Sequence, residues 1–115
     1  MANFEELEVW KRSSRLSADL YTYFKSLKDY GFRDQITRAG LSIPSNISEG
    51  YERDTSKDRR RFLTYAKGSC GELRTHVYIG IEAGYIENEV GQKWIQETKE
   101  LSKMIYGLMK YVKTT

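Results

Sequence analysis

Apolar residues recur at spacings of three and four along most of the chain, the period of a helix rather than a strand. The first run, about 5–28, sets Leu7, Trp10, Ser14, Ser17, Tyr21, Phe24 and Leu27 on one face. Asn3 is its expected cap, and Glu5, Glu6 and Glu8 suit the positive end of a helix. Tyr30-Gly31 marks its stop. The second run, about 32–53, aligns Phe32, Ile36, Ala39, Ile43, Ile47 and Tyr51. The third, about 56–84, follows Thr55, which with Asp58 three residues on resembles a capping box. Its face is Phe62, Ala66, Ser69, Cys70, Leu73, Val77 and Gly80, and Gly84 reads as the left-handed residue that ends it. The small residues at 66 and 68–71 suggest another helix approaching closely. The fourth run, about 88–112, opens at Asn88 as cap and carries Val90, Trp94, Thr98, Leu101, Ile105, Leu108 and Val112. From Trp94 onward this is nearly a heptad seam, and Lys110 and Lys113 suit the negative end.

Four amphipathic helices with short connections predict an all-α, up-down-up-down antiparallel four-helix bundle, a single domain over 1–115. The only proline, Pro44, falls inside the second run. It removes the donor that the Gly40 carbonyl would take, and its ring crowds that carbonyl. Because Ile36, Ile43 and Ile47 stay in phase across it, the expectation is one helix kinked at Pro44, not two helices. Ser42, Ser45 and Asn46 can bond freed backbone groups, and Asn46 with Glu49 resembles a capping box restarting the helix. Gly50 would permit close approach of a neighbour.

Composition narrows the chemistry. The 115 residues can bury one core without disulfides. Cys70, the only cysteine, reads as a small buried hydrophobe rather than a reactive thiol. No signal-peptide pattern and no apolar run long enough to span a membrane appears, so a cytoplasmic location without membrane contact is expected. His76, the only histidine, has no i, i+4 partner for a metal. No phosphate-binding loop, nucleophile elbow or dinucleotide fingerprint is present. The expectation is a protein without catalytic residues, metal or cofactor.

The net charge of +3 is small, but its excess falls in residues 56–85. Lys57, Arg60, Thr64, Lys67, Gly71 and Arg74 form one helical stripe away from the apolar face, flanked by Arg59 and Arg61. Such a stripe can track a phosphate backbone through counterion release. It can equally be a solvated face paired with Asp58 and Glu72. Arg59-Arg60-Arg61 at a helix start opposes the macrodipole, which favours a negative partner from outside. The candidate nucleic-acid contacts are Lys57, Arg59, Arg60, Arg61, Lys67 and Arg74. Lys11, Arg12 and Arg15 read as a solubilising face. The nine tyrosines, among them Tyr51, Tyr65 and Tyr78, suit base stacking or a subunit interface.

"FEELEVWKRSSRLSADLYTYF", "FRDQITRAGLSIPSNISEGYER" and "RRRFLTYAKGSCGELRTHVYIGIEAGYI" resemble the bacterial four-helix-bundle family encoded in intervening sequences of 23S rRNA genes. The matching motif is Asn46, Ile47, Ser48, Glu49 and Gly50, supported by Gln35, Ile36, Arg38, Gly68, Ser69, Glu72 and Leu73. Gly40 and Ser48 stand where alanine is common, and Cys70 where a larger apolar residue is. The resemblance implies an up-down bundle assembling into a homopentameric ring. It also extends in fold to the accessory variability determinant of diversity-generating retroelements, which works with a reverse transcriptase and binds nucleic acid. No activity comes with the family itself. Two functions follow as expectations: a non-catalytic, oligomeric accessory protein binding RNA or DNA, or a scaffold docking a partner such as a polymerase-like chain. Asn46, Glu49 and Gly50 are the reserve functional residues on the motif alone.

Overall fold

The computed structural model describes residues 3–112. A short 3-10 turn, Phe4–Glu6, leads into α1 (Glu8–Phe24), α2 (Tyr30–Tyr51), α3 (Ser56–Glu82) and α4 (Asn88–Tyr111). Each helix packs on the next in sequence, and α1 closes against α4 with the smallest seam. The result is an elongated all-α four-helix bundle, 47 × 21 × 20 Å. Lys113 lies outside the described residues.

Local chemistry sets the helix ends. Asp29 caps α2, its carboxylate accepting from Phe32 N at 3.1 Å. Thr55 caps α3, its hydroxyl accepting from Asp58 N at 3.1 Å. The end of α3 is a Schellman turn: Tyr85 N donates to Gly80 O, Gly84 N donates to Ile81 O, and Gly84 takes φ +80°. That positive φ is the reason for glycine at 84.

Several ends differ from the sequence reading. Asn3 caps the 3-10 turn, not α1, and makes no side-chain bond there; Leu7 precedes α1. Tyr30-Gly31 opens α2 instead of stopping the first helix, because Asp29 supplies the acceptor that a helix start needs. Asn88 is the first helical residue of α4, with Glu87 at the cap position.

The core is formed by Leu16, Leu20, Phe24, Ile36, Ile43, Ile47, Leu63, Leu73, Val77, Leu101 and Ile105, with Cys70 buried among them. The predicted face of α2 holds. That of α1 is rotated: Val9, Ser13, Leu16, Ser17, Leu20 and Phe24 are buried, and Tyr21 is exposed. On α3, Leu63 is buried while Phe62 lies at the edge. The aromatic residues Tyr23, Phe24, Phe32 and Trp94 meet edge-on or tilted at one end of the bundle, with centroids 5.0–5.9 Å apart.

Helix α2 passes Pro44 without interruption, as one helix. The restart box does not form. Asn46 Nδ2 donates to Ser42 O at 2.8 Å, Ser42 Oγ donates to Ala39 O, and Glu49 pairs with Arg53. Asn46 and Ser42 thus bond carbonyls of their own helix other than that of Gly40. The expected close approach is real at Gly50, where an added Cβ would lie 3.1 Å from Phe62 Cβ and 3.3 Å from Arg59 O. It is absent among the described residues at Gly68 and Gly71, where a Cβ would meet nothing within 4 Å. The small residues there face outward, so no internal helix accounts for them.

Candidate functional site

The six cations named from the sequence separate into two groups. Near the start of α3, three of the four are engaged locally. Arg60 reaches the last turn of α4, its guanidinium donating to Met109 O and, at 3.1 Å, to Val112 O. Antiparallel packing puts the start of α3 beside the end of α4, so the macrodipole conflict of the sequence is relieved by a neighbouring helix. Arg61 pairs with Asp58 at 3.4 Å and stacks on Phe62. Arg59 lies over the Tyr51 ring at 5.8 Å. Lys57 is exposed on the first turn.

Lys67 and Arg74 belong elsewhere. They flank a groove of about 560 Å³ between α3 and α4, completed by Gln96, Lys99, Ser102, Lys103 and Tyr106. The α4 residues recur at three- and four-residue spacing, so they form one stripe. Arg74 is the half-buried member: its Nε donates to Thr98 Oγ1 at 3.0 Å, and Thr98 in turn donates to Ile95 O. That chain of bonds fixes the guanidinium against the floor. Lys67, Lys99 and Lys103 are exposed. Four cations thus line one groove, and none of its described lining residues is a carboxylate.

A second groove, between α1 and α4, shows the contrast. It is lined by Arg12, Arg15 and Lys93 together with Glu8, Asp19 and Glu97, so its charges cancel. Arg12 is clamped there, 2.5 Å from Glu97 and 2.6 Å from Glu100. Hydrogen bonds from Arg12 hold the Glu100 carboxyl below its ordinary value, with Gln96 and Lys103 adding to the effect. Glu100 thus sits between the two grooves, its Oε1 on Arg12 and its Oε2 accepting from Gln96 of the α3–α4 groove at 3.2 Å, and is not itself among the residues that line that groove.

The motif residues serve the helices. Asn46 is half-buried and bonded within α2, Glu49 is exposed and paired with Arg53 at 2.9 Å, and Gly50 is the contact with α3. Cys70 is fully buried, and burial pushes its thiol up to about 12. Among the described residues, no group of three or more His, Cys, Asp or Glu is placed to hold a metal, and no helix is long and apolar enough to cross a membrane.

Lys99 and Lys103 were missed from the sequence. Their signal was present as an i, i+4 pair with Glu97 and Glu100 on another flank. Which flank faces α3, however, depends on the rotation of α4 in the bundle.

A comparison with curated proteins finds no match. Among solved structures, the chain is similar to a protein of unknown function from the S23 ribosomal protein family of Bacteroides thetaiotaomicron. The TM-score is 0.82 at 23% identity, covering 89% of this chain and 98% of that one. This likeness is one of fold. The family model for the 23S rRNA-intervening sequence protein matches residues 5–107. The chain therefore belongs to the 23S rRNA-intervening sequence protein family.

Proposed function

We propose that this chain is a non-catalytic, cytoplasmic accessory protein that binds nucleic acid and works as a homo-oligomer. The observation that carries the reading is the α3–α4 groove, where Lys67, Arg74, Lys99 and Lys103 converge and none of the described lining residues is a carboxylate. Cations gathered in a cleft concentrate field and attract a phosphate backbone, releasing its counterions. The basic stripe expected on α3 thereby becomes a two-helix site, with Lys57 at its exposed end and Arg59, Arg60 and Arg61 in supporting roles. Pro44 is read as bending α2 to shape the bundle, and not as a ligand contact. A ring of copies, pentameric by family resemblance, would repeat the groove and add avidity without new contacts.

The test is a mobility shift with structured RNA and duplex DNA, using the native chain and the Lys99→Ala/Lys103→Ala double variant. The native chain is expected to bind, and the double variant to bind at least tenfold more weakly. Equal affinity of the two would overturn the site.

One further observation favours a protein-docking reading. Tyr65 and Ile79 are each about half exposed on the outer face of α3, on the same side as the bare backbone of Gly68. A mid-helix glycine costs about 1 kcal/mol relative to alanine, and among the described residues nothing approaches Gly68 to require it. That face suits a second copy in the ring, or a partner chain if the protein acts as a scaffold. Light scattering of the native chain and Ile79→Asp distinguishes them: a native monomer removes the oligomer from the proposal and leaves the scaffold.

A further inference from the structure

Resting on the groove reading above, we infer that its occupant is a single-stranded nucleic acid with a base stacked on Tyr106. Tyr106 ends the α4 stripe that carries Lys99 and Lys103. It is 51% exposed although it lines the groove, and one face of its ring is covered by Lys110. Lys110 Nζ lies 5.1 Å from the ring centroid, and Lys103 precedes Tyr106 by less than one helical turn. A base would stack on the ring face that Lys110 does not cover, with Lys103 of the same groove and Lys110 as the cations for the phosphates on either side of it.

A duplex cannot use this arrangement, because its base faces are covered by their neighbours. A single strand can unstack one base and present its π-face. The open groove, about 560 Å³, has room for a nucleotide. Ser102 adds a hydroxyl, and Gln96, whose Nε2 donates to Glu100 at 3.2 Å, adds an amide oxygen that can accept from base edges or sugar hydroxyls. Neither group is demanded by a site that reads charge alone.

The test measures fluorescence polarisation with three probes of equal length and charge per strand: an oligoadenylate, the same strand annealed to its complement, and an abasic strand. The proteins are native, Tyr106→Ala, Tyr106→Leu, Tyr106→Phe and Lys99→Ala/Lys103→Ala, each confirmed helical by circular dichroism. Stacking on an aromatic side chain predicts roughly 5- to 100-fold weaker oligoadenylate binding for Tyr106→Ala. Tyr106→Leu, apolar but not aromatic, is expected to follow it, and Tyr106→Phe to stay within about twofold of native. The abasic strand should bind weakly and ignore all three changes. The inference is overturned if Tyr106→Ala binds oligoadenylate like native, if it loses as much on the abasic strand, or if the duplex binds as tightly as the single strand. Failure of the groove itself reads differently: no probe binds the native chain, or the double lysine variant binds every probe unchanged.

Discussion

At the scale of single residues, Cys70 and Tyr106 mark opposite uses of position. Cys70 sits at the centre of α3 with no solvent exposure, and burial favours its neutral thiol. Its folded value, about 12, lies above the ordinary 9. A group raised on folding keeps more protons in the native state, so its stabilisation is complete below pH 9 and is lost between about 9 and 12. The full span corresponds to about 4 kcal/mol. Urea titrations at a series of pH values should therefore show a shallower alkaline loss for Cys70→Ala than for the native chain. Equal slopes would place the thiol's influence elsewhere. That Cys70 is core was legible from the sequence, because it lies in phase with Ala66, Leu73 and Val77. The role of Tyr106 was not, because it depends on what stands across the groove.

At the scale of helices, ends and faces differ in how readable they are. Thr55 and Gly84 were legible because each carries its own chemistry: a hydroxyl aimed at a free N–H, and a backbone angle that only glycine adopts easily. The face of α2 was legible because its isoleucines have no competing stripe. Helix α1 carries two interleaved stripes, Leu7–Trp10–Tyr21 and Val9–Ser13–Leu16–Leu20. Aromatic weight favours the first, yet the second is buried because serines and leucines pack closer to α2 and admit the Gly40 backbone beside Leu20. The α3 cap yields a prediction at this scale. Thr55→Ala should lower stability by about 1 kcal/mol, read as a fall in the urea midpoint at unchanged slope. No change in midpoint would mean that the first turn of α3 is held by packing alone.

At the scale of the molecule, the two ends are tied by different means. At one end, Tyr85 Oη donates to Asp29 Oδ2 at 2.7 Å and Glu87 N donates to Tyr23 Oη at 3.0 Å, joining the α3–α4 connection to the cap of α2 and the last turn of α1. At the other, Arg60 holds the last turn of α4. Between them lies the basic groove, and its charges give a salt prediction. Four phosphate contacts on a single strand imply a log–log slope of about −3 against salt, or roughly 50-fold weaker binding between 50 and 200 mM. A flat salt series would show that Lys67, Arg74, Lys99 and Lys103 do not meet phosphate. Bundle architecture was legible from periodicity and short connections. The groove was half legible, since Lys67 and Arg74 sit on one helix but their partners are fixed only when α4 docks.

The Arg12 clamp has a consequence in time. Contacts between successive helices close short loops, whereas Arg12 and Glu97 are 85 residues apart in sequence. Closing that seam is the entropically dearest step of folding, and α1 meets α4 along the bundle's smallest seam. The seam is thus expected to form after the rate-limiting barrier and to open first. Glu97→Gln, which keeps the side chain's size but weakens the clamp, should speed unfolding and leave the folding rate unchanged. A stopped-flow chevron in which the folding arm falls instead would place the α1–α4 contact in the nucleus. If the clamp does close late, the first helix is the part of this bundle that comes and goes, while the hairpin bearing the basic groove stays in place.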